Sequence, residues 1–230
     1  MKNPDRPFVF INMAMTADGK IATVNRAVST FGSQRDHDHL LELRATADAV
    51  MAGARTVEAG PVNLGPGGVK YRRRRLRSGL AEYNLRVIVS GSGSLNPNAK
   101  VFKHRFSPII ILTTERIPVA RLKQLRELAE EVKIFGREEI DFPRALGWLR
   151  KQWRVERLAC EGGAELNDAM IRKRLVDELH VTFCPKIFGG RNAPALAEGT
   201  GCGSLAAAAQ FQIKSLRRIG GELFAVFAPK

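Results

Sequence analysis

The chain has 230 residues, 44% hydrophobic and 26% charged, with 37 lysines and arginines against 23 aspartates and glutamates for a formal net charge of +14. Apolar runs recur along the whole length, which excludes general disorder, and no window approaches the ~18 consecutive apolar residues of a membrane-spanning helix. The polar start MKNPDRPFVF is not expected to be a signal peptide, and Cys160, Cys184 and Cys202, dispersed and without a C-x-x-C pair, argue against a disulfide scaffold or a zinc site and for a reducing cytoplasm.

Short strand-like runs alternate with helical stretches. Phe8–Met15 reads as a strand, and Ser33 with Asp36 has capping-box-like spacing that introduces a helix through Leu40, Leu41, Leu43 and Ala47. Ala49–Ala52, Leu85–Ser90 and Pro108–Thr113 are further strands, the last apolar and β-branched enough to be central. Val119–Val132 is an amphipathic helix with Leu122, Leu125, Leu128, Ala129 and Val132 on one side. A strand at Val132–Phe135, a helix at Phe142–Trp153 and a strand at Arg157–Cys160 follow, and then a helix through Leu166, Met170 and Ile171. Val181–Cys184, Phe211–Leu216 and Leu223–Phe227 are strands with little helix between them, an antiparallel finish. The pattern predicts one α/β domain over residues 1–230, with a mainly parallel central sheet between helical layers and antiparallel C-terminal strands. In such sheets ligands sit where strand carboxyl ends meet helix N-termini.

Neither G-x-G-x-x-G after a strand nor G-x-x-x-x-G-K-[ST] occurs, so neither a Rossmann enzyme nor a P-loop NTPase is supported. Two strand-to-helix junctions are rich in small residues: AVMAGARTV at Ala49–Val57 and LACEGGAEL at Leu158–Leu166. Either could bring bare backbone N–H groups and a helix start up to a phosphate, or be simple turn punctuation. Glu161, at a strand end before two glycines, either binds a polar ligand and moves a proton or caps the helix. His37 and His39 are two apart in one helix and make a poor metal pair, while Cys160 and Cys184 read as packing thiols. Six cations, Lys70, Arg72, Arg73, Arg74, Arg75 and Arg77, lie in one stretch, and +14 less 6 leaves +8 for the rest.

Four motifs in order carry a resemblance: MTADGKIAT at Met15–Thr23, LRATADAVMAGARTV at Leu43–Val57, LACEGGAELNDAMI at Leu158–Ile171 and LVDELHVTFCPKIFGG at Leu175–Gly190. From about Phe8 to Phe227 the chain resembles the pyrimidine reductases of riboflavin biosynthesis, which share the three-layer dihydrofolate-reductase-like fold. The resemblance implies NADPH-dependent reduction of a ribosylaminopyrimidine 5′-phosphate to its ribitylamino product, by hydride transfer to C1′ of the opened sugar. It places Lys20 and Glu161 at the reacting sugar. It assigns the cofactor to Thr56 and the turn Gly162, Gly163, Ala164, Glu165 and Leu166, and the substrate to Ser29 and Arg44. Gly60 is a cofactor candidate and Asn63 and Leu64 are substrate candidates by their place in the corresponding stretch, and Ser90, just after a strand, is a candidate for the cofactor's 2′-phosphate. The resemblance also implies a homodimer.

The stretch EAGPVNLGPGGVKYRRRR departs from the family, which has an acidic residue, Asp-Pro and a Leu-Thr-x-Arg segment there, and Gly60 falls near the cofactor-contacting Asp. Arg72 or a neighbour is expected to take over the phosphate contact, since guanidinium groups suit phosphate. A same-fold reductase with another substrate is the competing reading. A nucleic-acid-binding protein using Arg72–Arg75 is the reading from another class; no recognised module and few Trp or Tyr for stacking weigh against it.

Overall fold

The structure is a computed structural model that describes residues 4–26, 31–60 and 62–230. In chain order its elements are β1 (Phe8–Thr16), α1 (Gln34–Arg44), β2 (Ala49–Gly53), α2 (Ala54–Glu58), α3 (Val69–Arg77), β3 (Leu85–Val89), α4 (Lys100–Lys103) and β4 (Ile109–Thr113). They continue with α5 (Val119–Leu128), β5 (Glu131–Ile134), α6 (Phe142–Trp153), β6 (Arg157–Cys160), α7 (Ala164–Arg172), β7 (Glu178–Cys184), β8 (Phe211–Ile219) and β9 (Glu222–Pro229). The class is the expected one, α/β with mainly parallel strands and an antiparallel C-terminal pair.

The chain forms two compact units, Met1–Phe8 with Leu41–Ala159 and Val9–Leu40 with Cys160–Lys230. In the first, β5, β4, β3 and β2 lie side by side and all parallel. A strand covered on both faces is mostly apolar, and every residue of β4, IIILT, is buried; Arg86 in β3 and Glu131 and Lys133 in β5 depart from that pattern. Helix α6 has Leu146 and Leu149 fully buried, and its Asp141 cap accepts from the Arg144 N–H at 3.2 Å. In the second unit β1 pairs with β7 in parallel, and β7, β9 and β8 follow as antiparallel neighbours.

Boundaries differ from expectation where backbone partners decide them. Helix α1 ends at Arg44, three residues before Ala47, and Ser33 caps it by accepting from the Asp36 N–H at 3.3 Å. Helix α5 stops at Leu128 because the Glu130 N–H donates to the Ile109 carbonyl and starts β5 at Glu131. Helix α3 was not foreseen, since its core side consists of Tyr71 and Arg75 alone.

Candidate active-site residues

In the second unit the Met15–Thr23 segment ends β1 in a tight turn. The Thr16 hydroxyl donates to Asp18 Oδ1 at 2.5 Å and accepts from the Lys20 N–H at 2.9 Å, and Gly19 takes φ +78°, which a side chain disfavours. Asp18 also accepts from the N–H groups of Phe188 (3.2 Å) and Gly189 (2.7 Å). The Thr16 hydroxyl and, less strongly, those N–H groups hold its carboxyl below the ordinary aspartate range against the opposing effect of burial. Two segments of the family resemblance, DGK and PKIFGG, are thereby laced into one scaffold. It fixes half-buried Lys20, whose Nζ donates to the Ala193 carbonyl at 2.9 Å.

The glycine turn after β6 is the second piece. Gly162 has φ +72°, and a Cβ there would stand 2.9 Å from Met13 Sδ and 3.1 Å from Asn167 Nδ2. Only glycine lets this turn lie against β1 while half-buried Glu161 precedes it. The peptide between Gly162 and Gly163 is cis. Helix α7 then begins at Ala164 with no side-chain cap on Gly163. Ala164, Glu165 and Leu166 form its first turn, where backbone N–H groups lack intrahelical acceptors. A turn without side chains leading into an uncapped nine-residue helix fits the pyrophosphate of a dinucleotide. Cys160, beside this turn, is buried and its thiol is pushed up to about 12, chiefly by burial, so it is the packing thiol expected.

In the first unit, β2 and β3 are parallel neighbours, with Gly53 opposite Val89, so their carboxyl ends share one edge. Half-buried Thr56 follows one end in α2 and buried Ser90 follows the other. The hydroxyls of Thr113 and Thr114, at the end of β4, donate to the Gly91 carbonyl at 3.1 and 2.7 Å, and Glu58 accepts from the Asn96 N–H at 2.5 Å. These bonds hold the loop after Ser90 to the end of β4 and, through Asn96, to α2. Gly60 stands two residues past α2.

Arg44, Asn63 and Leu64 also come together. Arg44 Nη1 donates to the Gly65 carbonyl at 2.7 Å, Asn63 Oδ1 accepts from the Gly65 N–H at 2.8 Å, and Asn84 Nδ2 donates to the Leu64 carbonyl at 2.7 Å. The Leu64 side chain is fully buried, so this segment offers a ligand backbone and not side chain at that residue. Arg72 donates to Glu82 at 2.6 Å and to the Tyr83 hydroxyl at 2.7 Å. The Tyr83 ring lies 5.0 Å from that of Phe106, and a Cβ on Gly65 would stand 2.8 Å from Phe106 Cζ, so Arg72 joins the Gly65 segment through two rings. Ser29 lies outside the described residues.

The four consecutive arginines divide into three environments. Arg75 is 1% exposed and donates to the carbonyls of Ala81 (2.8 Å), Arg44 (2.9 Å) and Ala47 (2.5 Å), so its guanidinium ties α3 to the α1–β2 turn. Arg73 and Arg74 are exposed. The sequence also gave no warning of Arg86, fully buried within β3, where it stacks 4.3 Å from the Phe106 ring centre and donates to the Val101 carbonyl at 2.8 Å. Burial lowers its guanidinium to about 10, still charged at neutral pH. No group of three metal-ligating side chains occurs among the described residues.

The model of the RibD C-terminal domain matches residues 7–225. The chain belongs to the RibD C-terminal domain family. Over 225 residues it is 33% identical to the 2,5-diamino-6-ribosylamino-4(3H)-pyrimidinone 5′-phosphate reductase of Methanothermobacter thermautotrophicus, covering 98% of this chain and 99% of that one. Among solved structures it resembles a pyrimidine reductase-like protein of Corynebacterium diphtheriae at TM-score 0.79 and 21% identity, covering 97% of this chain and 92% of that one. A dihydrofolate reductase of Enterococcus faecalis, complexed with NADP(H), matches at TM-score 0.50 and 10% identity over 97% of this chain and 96% of that one, which supports the fold alone.

Proposed function

We propose that this RibD-family chain acts as one reductase domain. It takes 2,5-diamino-6-ribosylamino-4(3H)-pyrimidinone 5′-phosphate to the ribitylamino product with NADPH. The observation that carries this reading is the 33% identity, end to end, with a reductase of that name. It favours a substrate ring that still bears its 2-amino group.

Bound NADPH supplies the hydride that C1′ of the opened sugar accepts, so the chain's own work is to bind, orient and handle one proton. The first turn of α7, with Gly162, Gly163, Ala164, Glu165 and Leu166, would cradle a pyrophosphate, and Thr56, Gly60 and Ser90 would meet the rest of the cofactor. Lys20, fixed by the Ala193 carbonyl, and Glu161 would hold the sugar and supply the proton that the reduced carbon–nitrogen unit requires. Arg44, Asn63, Leu64 and Ser29 would line the substrate. Arg72 would take the 5′-phosphate by exchanging it for Glu82, a half-exposed partner that costs little to release.

A homodimer follows from the same reading: β8 is an edge strand whose Ile213 and Leu216 are 64% and 54% exposed, suited to a second copy. Cytoplasmic location fits the nucleotide substrates; no helix among the described residues is long and apolar enough to cross a membrane.

The test follows absorbance of NADPH with the diamino substrate, with its deaminated counterpart, and with NADH in place of NADPH. Turnover of the diamino substrate is expected, with Glu161→Gln reducing kcat at least about a hundredfold and Arg72→Ala raising KM for the phosphorylated substrate. Cofactor binding without turnover of either pyrimidine would point to another substrate and overturn the proposal.

A further inference from the structure

Once Arg75 is buried and Arg72 is paired with Glu82, four cations of the 70–77 stretch remain: Lys70, Arg73, Arg74 and Arg77, all exposed. They stand at i, i+3, i+4 and i+7 of α3, so they form one stripe along a single helical face. Helix α3 contains no acidic residue, and among the described residues none of the four has a carboxylate partner. Four like-charged pairs lie three or four residues apart, 70 with 73, 70 with 74, 73 with 77 and 74 with 77, and each opposes helix formation. Lys70 also sits in the first turn, the end of a helix that disfavours a cation. The helix is held by its buried side, Tyr71 and Arg75, against this repulsion.

A second basic segment adjoins it. The Arg72 guanidinium lies 5.3 Å from the Tyr83 ring centre and Tyr83 packs on Phe106, which directly follows Lys103, His104 and Arg105, all exposed. The concentration of charge is therefore local and extended, which a single sugar phosphate does not require.

We propose that the α3 face, Lys70, Arg73, Arg74 and Arg77, is a docking surface for the phosphodiester backbone of a nucleic acid. A row of phosphates neutralises four cations spaced along a helix and relieves their mutual repulsion, and it demands no base-reading module. An anionic membrane suits the face less well. A helix lying in a bilayer interface needs a broad apolar side, and here the only exposed apolar residues of α3 are Val69 and Leu76, 50% and 54% exposed. The proposal is independent of the reductase reading, and its test uses no catalytic readout.

Fluorescence anisotropy of a labelled 20-nucleotide single-stranded RNA, and of a 20-base-pair DNA duplex, is to be followed with the full chain between about 50 and 200 mM KCl. Four phosphates neutralised on a single strand give a slope of log K against log salt of about −2.8, so the fourfold rise in salt should weaken binding about 50-fold. The variant Lys70→Gln/Arg73→Gln/Arg74→Gln/Arg77→Gln should lose binding and salt dependence while its thermal midpoint stays at or above that of the parent, since four repulsive pairs are removed. Should it not fold, Arg74→Gln/Arg77→Gln should halve the slope. A control of equal net charge, Lys123→Gln/Arg126→Gln/Lys151→Gln/Lys173→Gln, removes exposed cations elsewhere and should bind like the parent. Equal losses in both quadruple variants would mean net charge alone and overturn the proposal. So would absence of binding to either nucleic acid, or stripe-dependent binding only to vesicles containing phosphatidylserine.

Discussion

Replacing Arg75 and Arg74 separately by alanine puts the division of labour within α3 to a direct test. Arg75 is 1% exposed and its guanidinium makes three hydrogen bonds, to the carbonyls of Ala81, Arg44 and Ala47. A hydrogen bond from a charged donor contributes about 1.5–3 kcal/mol net, but the buried charge itself carries a desolvation cost that Arg75→Ala removes. What remains is the loss of donors from three carbonyls, two at the α1–β2 turn and that of Ala81 after α3, and a cavity where the aliphatic stem lay, together about 3–5 kcal/mol. Arg74, exposed and without a carboxylate partner among the described residues, should change stability within about 0.5 kcal/mol, and the relief of like-charge pairs favours the stabilising side. Urea unfolding followed by far-ultraviolet circular dichroism reads both at constant m. Equal midpoints for Arg75→Ala and the parent would refute the assignment of Arg75 as the tie between α3 and the preceding turn. They would return it to the pool of surface cations.

Gly162→Ala places a Cβ at φ +72° and 2.9 Å from Met13 Sδ; a cost of about 1–2 kcal/mol from the backbone alone is expected, with weaker NADPH binding, and calorimetric titration of the cofactor checks it. Asp18→Ala frees the N–H groups of Phe188 and Gly189 and loosens the turn that fixes Lys20; kcat should fall roughly tenfold to a hundredfold, and an unchanged kcat would contradict a positioning role. Two half-buried carboxylates should shift stability oppositely with pH. Burial raises Asp36 above its ordinary range, Thr182 opposes this and the charge on Glu222 adds to it, so its contribution to stability is present at low pH and lost as pH rises through the folded value. Burial would raise Glu178 too, but hydrogen bonds from Lys214 and His180 outweigh it, so its contribution is present at neutral pH and lost as pH falls through the lowered value. Asp36→Asn should therefore raise the thermal midpoint at pH 7, and Glu178→Gln should lower it, with both differences shrinking towards pH 3.

The strands were legible because parallel strands covered on both faces must be apolar and β-branched, and IIILT at 109–113 leaves little alternative. The strand-to-helix junctions were legible for the same reason: an apolar run that ends in glycine and resumes with helical periodicity marks the carboxyl end of a strand, and Thr56 and Ser90 follow such ends in the first unit as Glu161 and Gly162 follow one in the second. Asp18 lies within the MTADGKIAT motif, but its role is not legible there, since the two N–H groups it accepts from are 170 and 171 residues further along the chain. Arg86 was invisible, because an arginine in a strand reads as an outward residue unless one knows that Phe106 and the Val101 carbonyl wait for it.

The stretch from Lys70 to Arg77 shows why charge composition under-determines function. As a string, four consecutive arginines are interchangeable, and a net charge of +14 assigns them no role. The helical turn of 100° per residue separates them: Arg75 faces inward to backbone carbonyls, Arg72 turns to Glu82 and Tyr83, and Arg73 and Arg74 face outward with Lys70 and Arg77. One run of charge therefore divides into a structural tie, a phosphate-contact candidate and a surface stripe. Helix formation, which periodicity of apolar residues did not announce, is itself the step that creates the division.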